Sequence, residues 1–388
     1  MLQRDKVHAA VGGVFFAFGL GVGLWSGASG AILTRAGVDS ASLGIILTAY
    51  TGVYLVAMTA GGSLAHRFGI RPTLVGAAVL FAAALLGLLN AQSVASVASL
   101  LVVSGFLGGL LDVAMNSEGA RIERSRGKPI LARLHAAASA GVAAGAILGS
   151  LIAASAAPGA AGFIAAGGLA AAAAVYERTA RSEAPRTPPR SPTARGLSFS
   201  PALIVLGLVL GASIAAETAA LLWSALLLRA EAPGYAAFAG LGAAFFALCQ
   251  ATLRFNADGV RLMTSDRKII VASFAVTAAG FAVTAFDAGF AASVAGFALI
   301  GLGTGAIVPC GFALAARQTP GRPAVGLSSA SLFSALTRLP APLATGAIAQ
   351  AFSLPMAFGA IAAAAVAAGV GMALFGPAGG NDSIAGKD

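Results

Sequence analysis

Asp112 and Asn116 interrupt an apolar run, GFLGGLLDVAMNSEG at 105 to 119, with a carboxylate and an amide four residues apart. On a helix that spacing puts both on one face, and Glu123 continues the stripe about two turns later. An ionisable group in a stretch of lipid composition is costly and faces a cavity or a partner, so Asp112 is a candidate for binding a solute or carrying a proton. Glu118 and Glu123 approach the end of the run beside Arg121, Arg124 and Arg126, and read instead as salt bridges that steer a hinge.

Glu217, in AAETAALLWS, lies deep in another apolar run. A carboxylate in low dielectric holds its proton until water or a cation reaches it, which suits proton coupling. The alternative is an acid kept protonated and hydrogen-bonded between helices. His135 has an intrinsic pKa suited to a proton relay, with a hydrogen-bonded structural histidine as the competing reading. Arg338, in SALTRLPAP, cannot shed its charge and needs a counter-ion, Glu217 or Asp112, or an anionic solute. Pro340 and Pro342 should break the helix beyond it and free backbone groups toward a cavity. Trp25 and Gln250 read as cavity-lining residues, while Tyr50, Tyr54 and Asn90 read as packing or interface residues. Gly19, Gly23 and Gly27, like Gly141, Gly145 and Gly149, repeat at four and suit close helix packing in lipid.

The elements that position these residues follow from composition. Of 388 residues 58% are hydrophobic and 10% charged, against about 25% charged in ordinary soluble domains. Stretches of roughly 20 apolar residues, enough to cross a hydrocarbon core, recur twelve times: 9–33, 42–64, 72–92, 96–119, 129–155, 160–177, 200–227, 234–255, 268–287, 289–315, 324–350 and 354–376. The expected fold is an all-α polytopic membrane protein. A Pro-, Ser- and Arg-rich segment at 178–199 cannot pack as a helix. It separates a six-helix bundle at 1–177 from another at 200–376, followed by a tail at 377–388. Of the 24 basic residues, all but Arg35, Arg229 and Arg338 fall at the ends or in alternate loops. The positive-inside rule then puts both termini in the cytoplasm and accounts for the net charge of +10 without nucleic acid. The halves echo each other: Gly105-Phe106 leads to Gly127-Lys128-Pro129 as Gly296-Phe297 leads to Gly321-Arg322-Pro323. Such repeats build midplane sites in many transporters.

These features, with GGSLAHRFGIRP at 61–72, resemble the major facilitator superfamily, whose loop between the second and third helices carries a Gly, an Asp-Arg pair, a Gly and further basic residues. Gly62, Arg67, Gly69 and Arg71 match, and His66 stands in place of the Asp. RFNADGVR at 254–261, with Arg254 and Asp258, reads as the second-half counterpart of that loop. The resemblance implies two pseudo-symmetric bundles, secondary transport, and a gating role for both loops. Within the superfamily LDVAMN, IER at 122–124, GKPI at 127–130, His135 with Ser139 and Gly141, and GLGTGAIVP at 301–309 are similar to a bacterial branch of YbjJ-like permeases distantly akin to fucose permeases. In that family the segment around Arg338 is apolar and Gly-Pro rich, which sets Arg338 apart.

The expected activity is secondary active transport of a small polar organic solute, sugar-like or, if Arg338 meets it, a sugar acid. The solute would cross the bacterial inner membrane by alternating access, coupled to protons. The alternatives are a proton-driven efflux pump for amphipathic compounds and a non-transporting membrane receptor. No phosphate-binding loop, zinc spacing or nucleophile elbow is present, so neither an enzyme, a metal nor a cofactor is expected. Expected partners are the solute, protons and membrane lipid, with a monomeric chain.

Overall fold

In a computed structural model, the described residues are 2–126, 130–155, 157–180, 196–286 and 289–377. They form α1 (Leu2–Ala36), α2 (Ser40–Phe68), α3 (Ile70–Leu89), α4 (Val94–Arg126), α5 (Leu131–Ala153), α6 (Ala160–Ala180), α7 (Pro201–Glu231), α8 (Leu241–Met263), α9 (Asp266–Ala285), α10 (Phe290–Thr304), α11 (Ile307–Arg317), α12 (Pro323–Arg338), α13 (Ala341–Ala351) and α14 (Leu354–Phe375). A 3-10 turn, Pro233–Phe238, stands between α7 and α8. Among the described residues 10 helical stretches are long and apolar enough to cross a membrane, α10 and α11 counting as one. The long elements outside that set are α8 and the α12–α13 pair, which carry Arg254 and Arg338.

The chain divides into two compact units, Met1–Arg190 with Ser224–Ala244, and Ser191–Trp223 with Phe245–Asp388. The last turns of α7, the 3-10 turn and the start of α8 therefore group with α1–α6. The segment 178–199 and the tail 377–388 lie largely outside the described residues.

Unit 1 is built on the contact between α1 and α5. Gly19, Gly23 and Gly27 meet the backbone of Ala138, Val142 and Ala146; Gly141, Gly145 and Gly149 meet that of Phe16, Leu20 and Leu24. A methyl carbon at any of the six would overlap a carbonyl oxygen of the other helix. Lipid tails give helices no hydrophobic reason to associate, so dispersion across such close backbone contact holds the pair. The six glycines thus do the packing their spacing implies.

Unit 2 contains two broken helices. The sequence anticipates the second break: α12 ends at Arg338 and α13 begins at Ala341, because Pro340 and Pro342 lack the N–H groups that would bond the carbonyls of Leu336 and Arg338. The first break, at 305–306 between α10 and α11, falls inside what the sequence presents as one span. Pro309 explains it, since it has no N–H for the Gly305 carbonyl. Around these breaks Phe281 of α9 and Phe297 of α10 both stack edge-on against Phe358 of α14, with centroids 5.6 and 5.9 Å away.

Candidate functional site

In unit 1, α2 lies close on α4 because Gly105 and Gly109 have no side chains. A Cβ at Gly105 would sit 2.7 Å from the Tyr50 ring, and one at Gly109 would sit 2.8 Å from the Tyr54 carbonyl. That approach brings the Tyr54 hydroxyl to Asp112, where it donates to Oδ2 at 2.9 Å. Asn116 donates from Nδ2 to Asp112 Oδ1 at 2.8 Å and to the Asp112 backbone carbonyl at 2.9 Å. Each carboxylate oxygen of Asp112 thus has a donor, and Tyr50 adds a ring 6.0 Å from that of Tyr54. Tyr54, read from sequence as packing, is a member of the polar cluster. Its register with Tyr50 at a spacing of four, on the helix that Gly105 and Gly109 admit, is the signal that could have found it.

The remaining acids of α4 serve the end that carries Arg121, Arg124 and Arg126. Glu118, 2% exposed, takes two bonds from Arg121 at 2.8 and 2.7 Å. Glu123 Oε2 accepts the backbone N–H groups of Ile130 and Leu131 at 2.8 and 3.1 Å, capping α5 from the neighbouring helix. His135 stands in the first turns of α5 with its ring edge-on to Phe15 of α1 at 5.4 Å. Trp25 is buried in α1.

The segment 61–72 is not a loop. Gly62 and Arg67 belong to α2, Arg71 belongs to α3, and Gly69 alone joins them at φ 91°, a conformation open to glycine. Arg67 lies over the Phe68 ring at 5.3 Å. Arg71 Nε reaches Glu177 Oε2 of α6 at 3.2 Å, tying two helix ends together.

In unit 2, residues 254–261 are likewise helical, because α8 continues to Met263. This takes Arg254 out of the expected gating loop and into the bundle. Its Nη2 donates to both oxygens of Glu217 on α7, at 3.2 and 3.1 Å. Glu217 is therefore engaged by Arg254, where sequence alone nominates it as a counter-ion for Arg338. Asp258 is helical, but its side chain lies outside the described residues. Gln250, one turn before Arg254, is buried and donates to Thr304 Oγ1 at 3.1 Å, beside the α10–α11 break. α8 fits there because Gly301 and Gly305 admit its backbone: a Cβ at Gly305 would lie 3.0 Å from the Gln250 carbonyl. Arg338 is half-buried at the end of α12.

Sequence reasoning also missed Asp266 at the start of α9. It accepts from Arg261 Nε at 2.7 Å and pairs with Arg317 of α11, fastening the ends of α8, α9 and α11. A lone acid inside the basic stretch RLMTSDRK was its visible sign.

A helical protein with glycine-packed apolar bundles and polar clusters at mid-helix is a polytopic membrane protein of the transporter class. Residues 10–257 match the model of the Major Facilitator Superfamily, and the chain belongs to that family. It is a secondary transporter and not an enzyme. An uncharacterized MFS-type transporter of Yersinia pestis is 28% identical over 353 residues, covering 90% of each chain. An uncharacterized transporter of Sinorhizobium fredii is 26% identical, covering 89% of this chain and 91% of its own. Among solved structures the nucleoside transporter NupG matches with a TM-score of 0.72 at 12% identity, over 97% of this chain and 99% of its own. A POT family transporter in complex with 5-aminolevulinic acid matches with a TM-score of 0.73 at 11% identity, over 95% and 96%. These likenesses establish the fold.

Proposed function

We propose that this transporter moves a small polar organic solute of sugar or sugar-acid type across the bacterial cytoplasmic membrane, with both termini inside and a proton as the coupling ion. The Asp112 cluster carries this reading. A carboxylate placed mid-helix with a hydroxyl and an amide on it is a group that can exchange those donors for a solute's hydroxyls, or take a proton, without leaving its helix. Alternating access brings the cluster to water on either side in turn. Asp112 and Glu217 are the coupling candidates, and the Arg71–Glu177 and Arg261–Asp266–Arg317 contacts are breakable ties between helix ends. A thermal-shift screen of sugars, sugar acids and amino acids on the purified protein, followed by counterflow of the labelled hit, tests this; a ligand that binds without exchange marks a receptor instead.

Efflux of an amphipathic compound is the second reading, and one observation favours it. In unit 2 a cavity of about 350 Å³ lies between α7, α12–α13 and α14, walled by alanines with Thr337, Thr345 and Pro340. Its lining is apolar, with the two threonines supplying its hydroxyls. Preferential export of an apolar amine or alcohol over uptake of any sugar would decide for it.

A further inference from the structure

Arg254 is incompletely used. A guanidinium has five N–H donors in a rigid plane and grips a carboxylate through two parallel bonds where geometry allows. Here Nη2 alone serves both oxygens of Glu217, at 3.2 and 3.1 Å, longer than the ~2.7–2.9 Å of a strong charge-assisted bond. Among the described residues Nε and Nη1 have no hydrogen-bond partner. The arginine side chain is 33% exposed and the glutamate 16%, so the cation is the more open member of the pair. A purely structural ion pair in a bundle offsets its desolvation through short, well-aligned bonds that use its remaining protons; this one has none.

We propose that Arg254 is an anion-binding residue: the carboxylate of a solute docks on the donors that Glu217 leaves unused, and Glu217 is the resident counter-ion while no solute is bound. The inference rests on the reading of the chain as a solute carrier. It places the anion anchor on α8, and it narrows the solute to one that bears a carboxylate.

Removing the resident acid opens the site to a probe of known chemistry. In lipid nanodiscs, acetate at fixed ionic strength should raise the melting temperature of the wild-type protein above the chloride control by docking on the unused Nε and Nη1 of Arg254, and that of Glu217→Ala further, by about 2 °C or more, by also taking the vacated place. The double variant Glu217→Ala, Arg254→Gln should show no difference between acetate and chloride. Should Glu217→Ala fail to fold, Glu217→Ser, which also vacates the place, enters the same series with the same expectation. Equal melting in acetate and chloride for the wild type or the single variant, or an acetate effect that survives in the double variant, overturns the proposal. Counterflow by the wild-type protein is scored separately: an acetate effect without counterflow keeps the anion site and removes the transport reading, and counterflow without an acetate effect does the reverse.

Discussion

Asp112 and Asn116 stand within an unbroken helix of 33 residues. When the Gly-basic-Pro turns of the two halves are aligned, their counterparts are Ala306 and Cys310, and there the helix is interrupted, α10 ending at Thr304 and α11 starting at Ile307. One unit presents polarity at mid-helix through side chains on intact backbone. The other presents it through backbone, with Pro309 withholding a donor from Gly305 and α8 bringing Gln250 to Thr304. The two units thus carry two chemically different devices. The side-chain device holds an ionisable group; the backbone device offers a carbonyl without its helical donor.

Exchanging the devices is the harshest test of that contrast. Asn116→Pro would remove the helical bond to the Asp112 carbonyl as well as the amide, and should destabilise unit 1 by about 3 kcal/mol or more, read as loss of a monodisperse, thermally cooperative protein. The reverse exchange, Pro309→Ala, supplies the missing donor to Gly305. It should leave the melting temperature unchanged or higher while uptake slows, since a continuous helix replaces the break. If Pro309→Ala instead unfolds the protein, the break is a packing necessity and the comparison fails.

Smaller effects sharpen the same picture. Gly145→Val, which would overlap the Leu20 backbone, should cost about 1–3 kcal/mol through overpacking and lower the melting temperature with no change in solute preference. Tyr54→Phe removes one donor from Asp112 and should cost about 1 kcal/mol, seen as a modest fall in melting temperature and a several-fold weaker apparent affinity. The same change at Tyr50, whose ring stacks near Tyr54, should alter affinity less.

The helices were legible because lipid-length apolar runs separated by basic turns admit few other structures, and the glycine stripes showed their packing role in a spacing of four. The site was legible in part. Asp112, Asn116, Glu217 and Gln250 stood out as polar residues in apolar runs. The stretch from Arg254 was placed in a loop because a charge next to an apolar run resembles a helix end, whereas a partner on α7 allows the helix to continue past it. Tyr54 was hidden because an aromatic residue on a membrane helix usually packs, and only the glycine-permitted closeness of α2 and α4 gives its hydroxyl a partner. The break at 305–306 was visible as Pro309, but its consequence depends on which backbone carbonyl loses its donor.

Asp112 must be a working carboxylate for proton-coupled transport to run through this cluster. Solute uptake driven by an imposed pH gradient, measured in proteoliposomes for the wild type and for Asp112→Asn, tests this most directly, because the substitution keeps the shape and one of the two acceptor oxygens while removing the charge. At least a ten-fold loss of gradient-driven uptake, with a melting temperature close to that of the wild type, is the predicted result. Undiminished gradient-driven uptake by Asp112→Asn would contradict it.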